Sequence, residues 1–382
     1  MIKRISIQNY KSLQNVQMEM QPLMIFVGCN NAGKSNIIDA FEFMSEIVKE
    51  GPDAVAKRGG IQQILFNGDS NNSITFELGA QVIDDQSKSH ELRYAIAFDA
   101  DMISNYGIAK EQLFLKKDAA AEIKLLEFPT ENGTAKAWNE NGKQTGIIGA
   151  GKKQSYLRSF LDKREYPIIG HFSNEIQNWA FHKFFPSLMT NVVPVRRDFR
   201  LDKYGQNLPA VIHSLQSESR YDFNNIEEAL KEMVPEIEIL STGLTEQGQT
   251  YIKIGEKHIK IPIPSWAMSD GTLNLLAMLA TLNMSNPPSL VCLEEPENYV
   301  HPGLLEFVSN LLNKASEKTQ IIVTTHSPYL LNFINPGNLF IVEKKEGITS
   351  IKKASNEKGI KEALQALGLG EMWYAGSLGG IP

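Results

Sequence analysis

Three short, largely apolar runs interrupt a chain that otherwise tends to alternate apolar and polar residues. They are Leu23–Val27, 289–293 and Gln320–Thr325. Such runs are typical of strands that are buried on both faces of a parallel sheet. After the first run, apolar residues recur at helical spacing up to Val48, and Gly51-Pro52 is expected to end that helix. This order of strand and helix predicts an α/β fold.

The rest of the chain predicts a second, antiparallel layer. Strict alternation is typical of strands with one exposed face, and the Asn-Gly pairs at 132–133 and 141–142 favour hairpin turns. The predicted strands lie at 5–7, 16–20, 73–82 and 91–98, with more within 111–148 and 237–263. Helices are predicted at 152–161, 174–185, 208–215, 226–234, 273–282 and within 352–367. No heptad repeat is sustained, so a long coiled coil is excluded.

A phosphate-binding loop stands between the first apolar run and its helix. Residues 28–35 read Gly-Cys-Asn-Asn-Ala-Gly-Lys-Ser, which fits the spacing Gly-x-x-x-x-Gly-Lys-[Ser/Thr]. Glycines let backbone N–H groups surround phosphate oxygens, Lys34 adds a positive charge, and the Ser35 hydroxyl can bind Mg²⁺. ATP and Mg²⁺ are therefore the expected ligands. The expected nucleotide contacts here are Gly28, Asn30, Asn31, Ala32, Gly33, Lys34, Ser35 and Asn36.

Acidic residues and a histidine follow the other two apolar runs. Glu294 and Glu295 end the second run, where acids are rarely found without a function. We expect Glu294 to hold Mg²⁺ and Glu295 to orient and deprotonate an attacking water. His326 ends the third run and is expected to contact the γ-phosphate.

A polar turn, Ser269-Asp270-Gly271-Thr272, comes immediately before the apolar helix at 273–282. Ser269 or Asp270 would cap this helix. The N–H groups and partial positive charge at such a helix start suit a phosphate group. Serine and glycine are common at helix starts, so this turn indicates a site only in company with the other motifs.

Composition limits the range of functions. The 382 residues are 42% hydrophobic and 21% charged, with a formal net charge of −6, so the chain has no overall basic field for nucleic acid. The only two cysteines, Cys29 and Cys292, do not suggest a disulfide framework, which favours a reducing cytoplasm. No apolar run approaches the ~18 residues of a membrane span, and the N-terminus lacks the apolar core of a signal peptide. We expect a cytoplasmic protein that does not enter a membrane.

Two interpretations stay open. Basic residues cluster within 152–164 and 196–203, where they could meet DNA phosphates or form a solvated face, and we favour the solvated face. Gln62 or Gln63 could sense Mg²⁺ and the attacking water, although an ordinary turn residue is the favoured interpretation. The basic residues are Lys152, Lys153, Arg158, Lys163, Arg164, Arg196, Arg197, Arg200 and Lys203.

The order of phosphate loop, serine–glycine helix start, double acid and strand-end histidine resembles the ABC-type ATPase site. The chain is similar to the ATPase heads of the SMC, RecF and OLD (overcoming lysogenization defect) group, above all to OLD-like single-chain ATPases. The segments that carry the resemblance are 9–13, 28–35, 269–272, 294–302, 325–328 and the glycine-rich tail 370–380. Glu294 stands where the group more often has aspartate, and the helix start lacks the double glycine of transporters.

The resemblance implies a fold and a mechanism. The fold is an ABC-type ATPase head with a mixed central sheet, an antiparallel β layer and a β/helical insertion in the middle of the chain. Two heads sandwich two ATP molecules, each site using residues of both protomers, and hydrolysis opens the sandwich. The residues that the resemblance adds to the nucleotide contacts are Lys11 and Ser12 in the protomer that supplies Lys34, and Ser269, Asp270 and Gly271 in the other.

These motifs divide the chain into four predicted segments. They are 1–110, the first half of the head; 111–235, an insertion that offers a dimer or partner surface; 236–345, the second half; and 346–382, a C-terminal helix and glycine-rich tail. Only 56 residues follow His326, too few for a Toprim-type nuclease domain, so we expect the chain not to cut nucleic acid unaided. Trp373 and Tyr374 in the tail could dock a partner or pack onto the head itself.

The expected function is that of an ATPase that dimerises on ATP and drives a conformational switch in bacterial anti-phage defence, with a separately encoded effector such as a nuclease. A homodimer is expected, with room for a higher oligomer, and direct DNA binding is only weakly supported. The alternatives are a RecF-like DNA repair or recombination ATPase and an ATP-gated scaffold with little turnover. A membrane-transport role ranks last.

Overall fold

The structure is a computed structural model that describes residues 1–51, 53–101, 105–117, 121–149, 155–160, 164–356 and 368–376. The chain forms two compact units, each assembled from separate stretches. Unit 1 consists of Met1–Gln21, Gly28–Trp179 and Ile341–Lys352, and unit 2 consists of Pro22–Val27, Ala180–Phe340 and Lys353–Pro382. The predicted division into four segments concerns continuous stretches of sequence, and it stays a prediction.

The strands of the described residues, in chain order, are β1 (Ile2–Tyr10), β2 (Leu13–Glu19), β3 (Leu23–Val27), β4 (Ile74–Ile83), β5 (Ser89–Asp101), β6 (Asn105–Lys116), β7 (Glu122–Phe128), β8 (Ala135–Trp138), β9 (Gln144–Ile148), β10 (Ala180–His182), β11 (Val193–Pro194), β12 (Ile237–Leu244), β13 (Gln249–Glu256), β14 (Ile263–Pro264), β15 (Leu290–Glu294), β16 (Gln320–Thr325), β17 (Leu339–Lys345) and β18 (Ile348–Lys353). The α-helices of the same residues are α1 (Lys34–Glu50), α2 (Asp53–Ala56), α3 (Ile61–Ile64), α4 (Tyr156–Ser159), α5 (Pro167–Gln177), α6 (Pro186–Met189), α7 (Leu208–Glu218), α8 (Arg220–Met233), α9 (Asp270–Leu282), α10 (Leu305–Ser316), α11 (Pro328–Leu331) and α12 (Leu369–Tyr374).

Unit 1 is built on an eight-stranded antiparallel sheet in the order β2-β1-β4-β5-β6-β7-β8-β9, which confirms the predicted antiparallel layer. The alternation of apolar and polar residues along each strand decides which face of the sheet is buried. In β1, for example, Ile5 and Ile7 point to the buried face. Helix α1 packs on this sheet through Phe43, whose ring centroid lies 5.3 Å from that of Tyr10 and 5.5 Å from that of Phe98. Burial of one such side chain stabilises the fold by about 1.5–3 kcal/mol.

Unit 2 contains parallel strands in the order β10-β15-β16-β3. Every residue of β3 and β16 is buried, as predicted from their apolar runs. The register places Glu294 of β15 opposite Thr324, and Thr325 opposite Val27 at the end of β3. The carboxyl ends of β15, β16 and β3 therefore lie side by side.

Helix α9 of unit 2 begins in the polar turn at 269–272 and precedes β15, the strand that ends at Glu294. All its residues from Leu273 to Leu282 are buried, which is typical of a helix inside a core. Helices α7 and α9 confirm the predictions, and α8 begins six positions before the predicted residue 226. None of the helices in the described part of the chain combines the length and apolarity that a bilayer span requires.

The tail helix α12 packs within unit 2. The Gly370 N–H donates to Asn332 Oδ1 at 2.7 Å, and a β-carbon at Gly370 would lie 2.1 Å from the Pro328 carbonyl oxygen. Trp373 is 3% exposed, whereas Tyr374 is 73% exposed. Of the two tail aromatics, one is therefore used for packing and the other faces solvent.

One predicted helix is wrong. The spacing predicted a helix over 174–185, but α5 ends at Gln177 and β10 follows it. Ala180 of β10 pairs with Val291 of β15 in parallel register. Pairing with the edge of a parallel sheet provides backbone hydrogen bonds that local helical spacing cannot reveal, so the tertiary contact outweighs the pattern.

Other predictions have a partial outcome. Gln62 and Gln63 lie exposed on the short helix α3 rather than in a turn. Within the predicted helix at 152–161, α4 is helical, but Lys152, Lys153 and Lys163 lie outside the described residues. The same holds for positions 357–367 and 377–382 of the predicted C-terminal helix and tail.

His182 tests the packing of β10. Its side chain is buried, its ring stacks on Phe184 at 5.1 Å, and burial lowers its pKa from 6.5 to about 4. Below pH 6.5 the unfolded chain binds a proton at His182 that the folded chain excludes, so stability falls as the pH falls towards 4. From pH 7.5 to 5.5 the wild type should lose about 1.4 kcal/mol more unfolding free energy than His182→Gln, measured by urea titration.

Identical pH dependence in the wild type and His182→Gln would contradict the burial of a neutral imidazole in β10.

Candidate nucleotide-binding site

The phosphate loop lies in unit 1 and begins at the residue that follows β3. Gly33 has φ 103° and Asn31 has φ 65°, both in the left-handed region. Glycine adopts that region at little cost, and asparagine is among the few other residues that visit it. Gly33 is also the N-cap of α1, which begins without a side-chain cap hydrogen bond. The predicted geometry of the loop before its helix is present.

Close packing also requires the two loop glycines. A β-carbon at Gly28 would lie 2.2 Å from the Val342 carbonyl oxygen, and one at Gly33 would lie 2.1 Å from Thr349 Oγ1. Real β-carbon contacts are not this short, so alanine at either position would force the loop or its neighbour to move. The loop shape therefore depends on residues of β17 and β18.

Thr349 holds the phosphate loop from the side. Its hydroxyl donates to the Ala32 carbonyl at 2.9 Å and lies 2.7 Å from Ser12 Oγ, while its N–H donates to the Ser12 carbonyl at 2.8 Å. Asn36 Nδ2 also donates to Ser12 Oγ, at 2.7 Å. Ser12, predicted to contact nucleotide, is buried and serves this bracing network. Sequence reasoning missed Thr349, because an isolated strand threonine carries no local signal.

Lys34 is buried and folds across its own loop. Its ammonium group donates to the carbonyl oxygens of Gly28 at 2.8 Å and Cys29 at 2.9 Å. A buried ammonium group is costly unless it is hydrogen-bonded, and these two carbonyl oxygens supply such bonds. Among the other predicted contacts, Asn30, Asn31 and Ser35 are exposed.

Lys11 points to helix α1. Its Nζ lies 2.5 Å from Asp39 Oδ2, and Arg58 Nε lies 2.9 Å from the other oxygen of the same carboxylate. Burial acts to raise the pKa of Asp39, but the positive charges of Arg58 and Lys11 outweigh it and hold the pKa below its ordinary value. The contacts of Lys11 are thus those of an ion-pair network, and its predicted role at the nucleotide stays a prediction.

The predicted acids lie at the carboxyl end of β15 in unit 2. Glu294 has a half-buried side chain, and Lys183 Nζ lies 3.7 Å from its Oε2. Lys183 follows β10, whose last residue His182 is opposite Leu293, so the register brings the lysine to the acid. Sequence analysis could not find Lys183, because the strand before it was predicted as helix.

Glu295 is held in an unusual backbone conformation beside His326. Its φ is 49°, which is uncommon for a residue other than glycine and indicates local strain. The Glu295 N–H donates to the Thr324 carbonyl at 2.8 Å, and Glu295 Oε2 accepts from Asn298 Nδ2 at 2.8 Å. Glu295 Oε1 lies 3.5 Å from His326 Nε2. The structure thus brings together the predicted general base and the predicted phosphate-sensing histidine.

Glu297 fixes the start of the His326 turn. Its Oε1 accepts from the Thr325 hydroxyl at 2.5 Å and from the His326 N–H at 3.1 Å. Burial raises the pKa of Glu297. The sequence placed this residue in the acidic motif without a role, and its contacts are those of a residue that positions the histidine.

The polar turn before α9 has the predicted helix-start geometry. Ser269 is the N-cap, and its Oγ accepts from the Thr272 N–H at 3.1 Å. Asp270 is the first helical residue, and both Ser269 and Asp270 are exposed. A β-carbon at Gly271 would lie 2.7 Å from the Tyr299 carbonyl oxygen, so glycine allows the helix start to approach the loop behind the acids.

Two of the described basic residues, Arg196 and Arg197, are paired with acids. Arg196 Nε lies 2.5 Å from Asp198 Oδ2, and Arg197 Nε lies 2.8 Å from Glu218 Oε2. Exposed pairs of this kind contribute little to stability, but they reduce the positive charge available to a phosphate backbone. The contacts favour a solvated face at 196–203 over a DNA surface.

Part of the chain matches a known protein family. Residues 162–332 match the model described as an AAA domain, a description that also refers to the AbiEii toxin and a type IV toxin–antitoxin system. The match covers a little under half of the chain, including the acids and His326 but not the phosphate loop.

Similar proteins extend over more of the chain. An ATP/GTP phosphatase of Helicobacter pylori is 20% identical over 88% of this chain and 88% of its own length. An OLD nuclease of Thermus scotoductus is 23% identical over 86% of this chain and 59% of its own length. Among solved structures, an SMC head bound to the C-winged helix domain of ScpA covers 92% of this chain and 97% of its own, with a TM-score of 0.55 and 16% identity. The chain is an ATPase that is similar to OLD nucleases and has the fold of an SMC head.

The likeness to the SMC head shows the fold of this ATPase, and the relatives agree with nucleotide hydrolysis. The ATPase spans about three fifths of the OLD nuclease that it matches. The activity of that whole nuclease is therefore not carried over here, and the roles of individual residues stay predictions.

Thr349→Val tests the brace on the phosphate loop. The change keeps the branched shape but removes the hydroxyl that contacts Ala32 and Ser12. Loss of a partner to buried polar groups costs about 1–3 kcal/mol, so we expect ATP affinity to fall about tenfold or more in a calorimetric titration. Ser350→Ala, on the exposed neighbour in β18, should bind ATP like the wild type. Equal affinity in Thr349→Val would show that the loop keeps its shape without the hydroxyl.

Proposed function

We propose that this ATPase hydrolyses ATP at a site formed by the phosphate loop, Glu294, Glu295 and His326, completed by Ser269, Asp270 and Gly271 of a second copy. The observation that carries the proposal is the register of β15, β16 and β3 in unit 2. It aligns the strand ends that precede Glu295 and His326 with Val27, and the phosphate loop starts at the next residue of the chain. Ligand sites form at the carboxyl ends of parallel strands in such sheets.

Each residue has a role that follows from its chemistry. Lys34 and the N–H groups of the loop bind the phosphates, and Glu295 accepts a proton from the attacking water. Ser35 and Glu294 supply a hydroxyl and a carboxylate oxygen, which are donors that Mg²⁺ accepts together with water and phosphate oxygens. The residues present therefore fit Mg²⁺, which when bound neutralises charge on the phosphates. His326 contacts the γ-phosphate.

The second copy is proposed because the polar turn before α9 is exposed. Ser269 and Asp270 present the N-terminus of a buried helix. Two exposed aromatic residues lie close to them: Trp266 precedes Ser269 by three residues, and the Tyr299 backbone lies against Gly271. Exposed aromatic residues next to a polar site are typical of an interface. We propose that this face contacts the ATP held by the other protomer.

The biological setting that we propose is bacterial anti-phage defence in the cytoplasm. The support is the likeness to OLD nucleases together with the switch-like chemistry of an ATP-dependent dimer. The described arginines at 196 and 197 pair with acids, so direct DNA binding is not what we propose for the ATPase alone. The switch would instead act on a separate effector such as a nuclease, in a dimer or a higher oligomer.

Substitution of Lys34 and Glu295 tests the site. Lys34→Ala removes the charge that binds phosphate, and Glu295→Gln removes the general base, so each should lower ATP turnover by about 100-fold or more. Phosphate release with Mg²⁺ and ATP is the measurement. Glu306→Gln, at an exposed carboxylate on α10, should turn over ATP like the wild type. Unchanged hydrolysis in both site variants would remove the proposed mechanism.

The dimer has a separate test. Glu295→Gln should bind ATP without using it and accumulate as a dimer, measured by size-exclusion chromatography with light scattering. Adding Ser269→Arg should keep the protein monomeric with ATP, because the longer side chain fills the space proposed for the phosphate of the other protomer. A double variant that still dimerises on ATP would exclude this turn from the interface.

A further inference from the structure

Asn274 is a polar residue inside an apolar helix. It lies on α9, three residues after Gly271 of the polar turn, and it is 2% exposed. Burying an amide without hydrogen bonds is costly, so a buried asparagine in such a helix is kept for the bonds that it makes.

The bonds of Asn274 go to the loop behind the acids. Its Nδ2 donates to the Pro296 carbonyl at 3.1 Å and to the Asn298 carbonyl at 2.6 Å. Its Oδ1 is buried and has no hydrogen-bond partner among the described residues. The amide is therefore used as a double donor, and both acceptors lie within three residues of Glu295.

This loop is strained and needs external support. Glu295 and Tyr299 have φ values of 49° and 67°, and each such residue costs about 1–3 kcal/mol. Backbone hydrogen bonds from the Asn298 and Val300 N–H groups close the turn. The Asn298 side chain donates to Glu295 Oε2 at 2.8 Å. A shift of the Asn298 backbone therefore moves the Glu295 carboxylate.

The start of α9 contacts the same loop. Gly271 approaches the Tyr299 carbonyl so closely that a β-carbon would lie 2.7 Å from it. Asn274 and Gly271 thus join one helix start to one turn at two points, and both contacts lie within unit 2.

We propose that Asn274 is a positioning residue that couples the Ser269–Gly271 turn to Glu295. Engagement of that turn by nucleotide shifts the start of α9, Asn274 carries the shift to the carbonyls of Pro296 and Asn298, and Asn298 carries it to the carboxylate. The general base of one protomer then responds to the nucleotide held by the other, which makes hydrolysis cooperative. The link to nucleotide rests on the proposed function, whereas the link between helix and turn does not.

Hydrogen exchange tests the mechanical link in protein without nucleotide. Asn274→Ala should speed amide exchange at Asn298 and Val300 about tenfold, because their turn loses its brace. Ser269→Ala, which removes the cap of α9, should also speed exchange at these two amides. In the double variant, Ser269→Ala should no longer raise the exchange rates beyond those of Asn274→Ala alone. The proposal would be overturned, and Asn274 would be only a structural brace, if Ser269→Ala still raised these rates by the same factor without Asn274. The same holds if Ser269→Ala alone did not change them.

Turnover tests the consequence for catalysis. Asn274→Ala should lower kcat about 10- to 100-fold, since a misplaced base is costly, while the Kd for ATP stays within about threefold and the Hill coefficient for ATP falls towards one. Asn274→Asp keeps the side-chain volume but replaces the donor, and it should show the same split if Asn274→Ala does not fold. Asn283→Ala, at the far end of α9, is the matched control and should behave like the wild type.

Two outcomes contradict the catalytic part. One is an unchanged kcat in both Asn274 variants, and the other is a loss of kcat matched by an equal loss of ATP binding. A failure of the proposed function has a different signature, because Lys34→Ala and Glu295→Gln would then hydrolyse ATP like the wild type. The exchange measurement would still decide whether Asn274 couples helix and turn.

Discussion

The parallel pairing of β15, β16 and β3 is the constraint on which the chemistry of this ATPase depends. Each strand is a short, largely apolar run, and each is followed at once by residues of the proposed ATP site. Pairing in register brings their carboxyl ends together, so residues far apart in sequence become neighbours. Burial of these strands keeps the register, because a slip would move polar residues into the core.

The functional segments are held by elements that carry no chemistry of their own. Thr349 supports the phosphate loop through Ala32 and Ser12, and Glu297 supports the turn of His326. Asn274 supports the turn of Glu295 from a helix. Each supporting residue makes two or more hydrogen bonds, which would keep the groups of the proposed site within the small tolerance that catalysis needs.

Much of the fold could be predicted because the signals are local. The strands β3 and β16 were predicted to the residue, since both of their faces are buried and both runs are largely apolar. The phosphate loop was predicted from its glycine spacing, and the structure needs both glycines, Gly33 for its left-handed backbone and Gly28 for its close approach to Val342. β10 was mistaken for the end of a helix, since its strand character comes from pairing with β15. Lys183 and Thr349 reach their partners through sheet register, which no short window of sequence contains. The predicted roles of Lys11 and Ser12 rested on resemblance, whereas their contacts depend on Asp39 and Thr349.

The left-handed backbone at Glu295 has a consequence for how this protein can change. Asparagine tolerates that conformation better than glutamate, so Glu295→Asn should relieve strain and give a more stable protein. The same change would shorten the side chain and remove its carboxylate. With Glu295 as the proposed general base, a change that stabilises the fold at this position would remove catalysis, so selection for thermal stability alone would favour a protein that does not hydrolyse ATP.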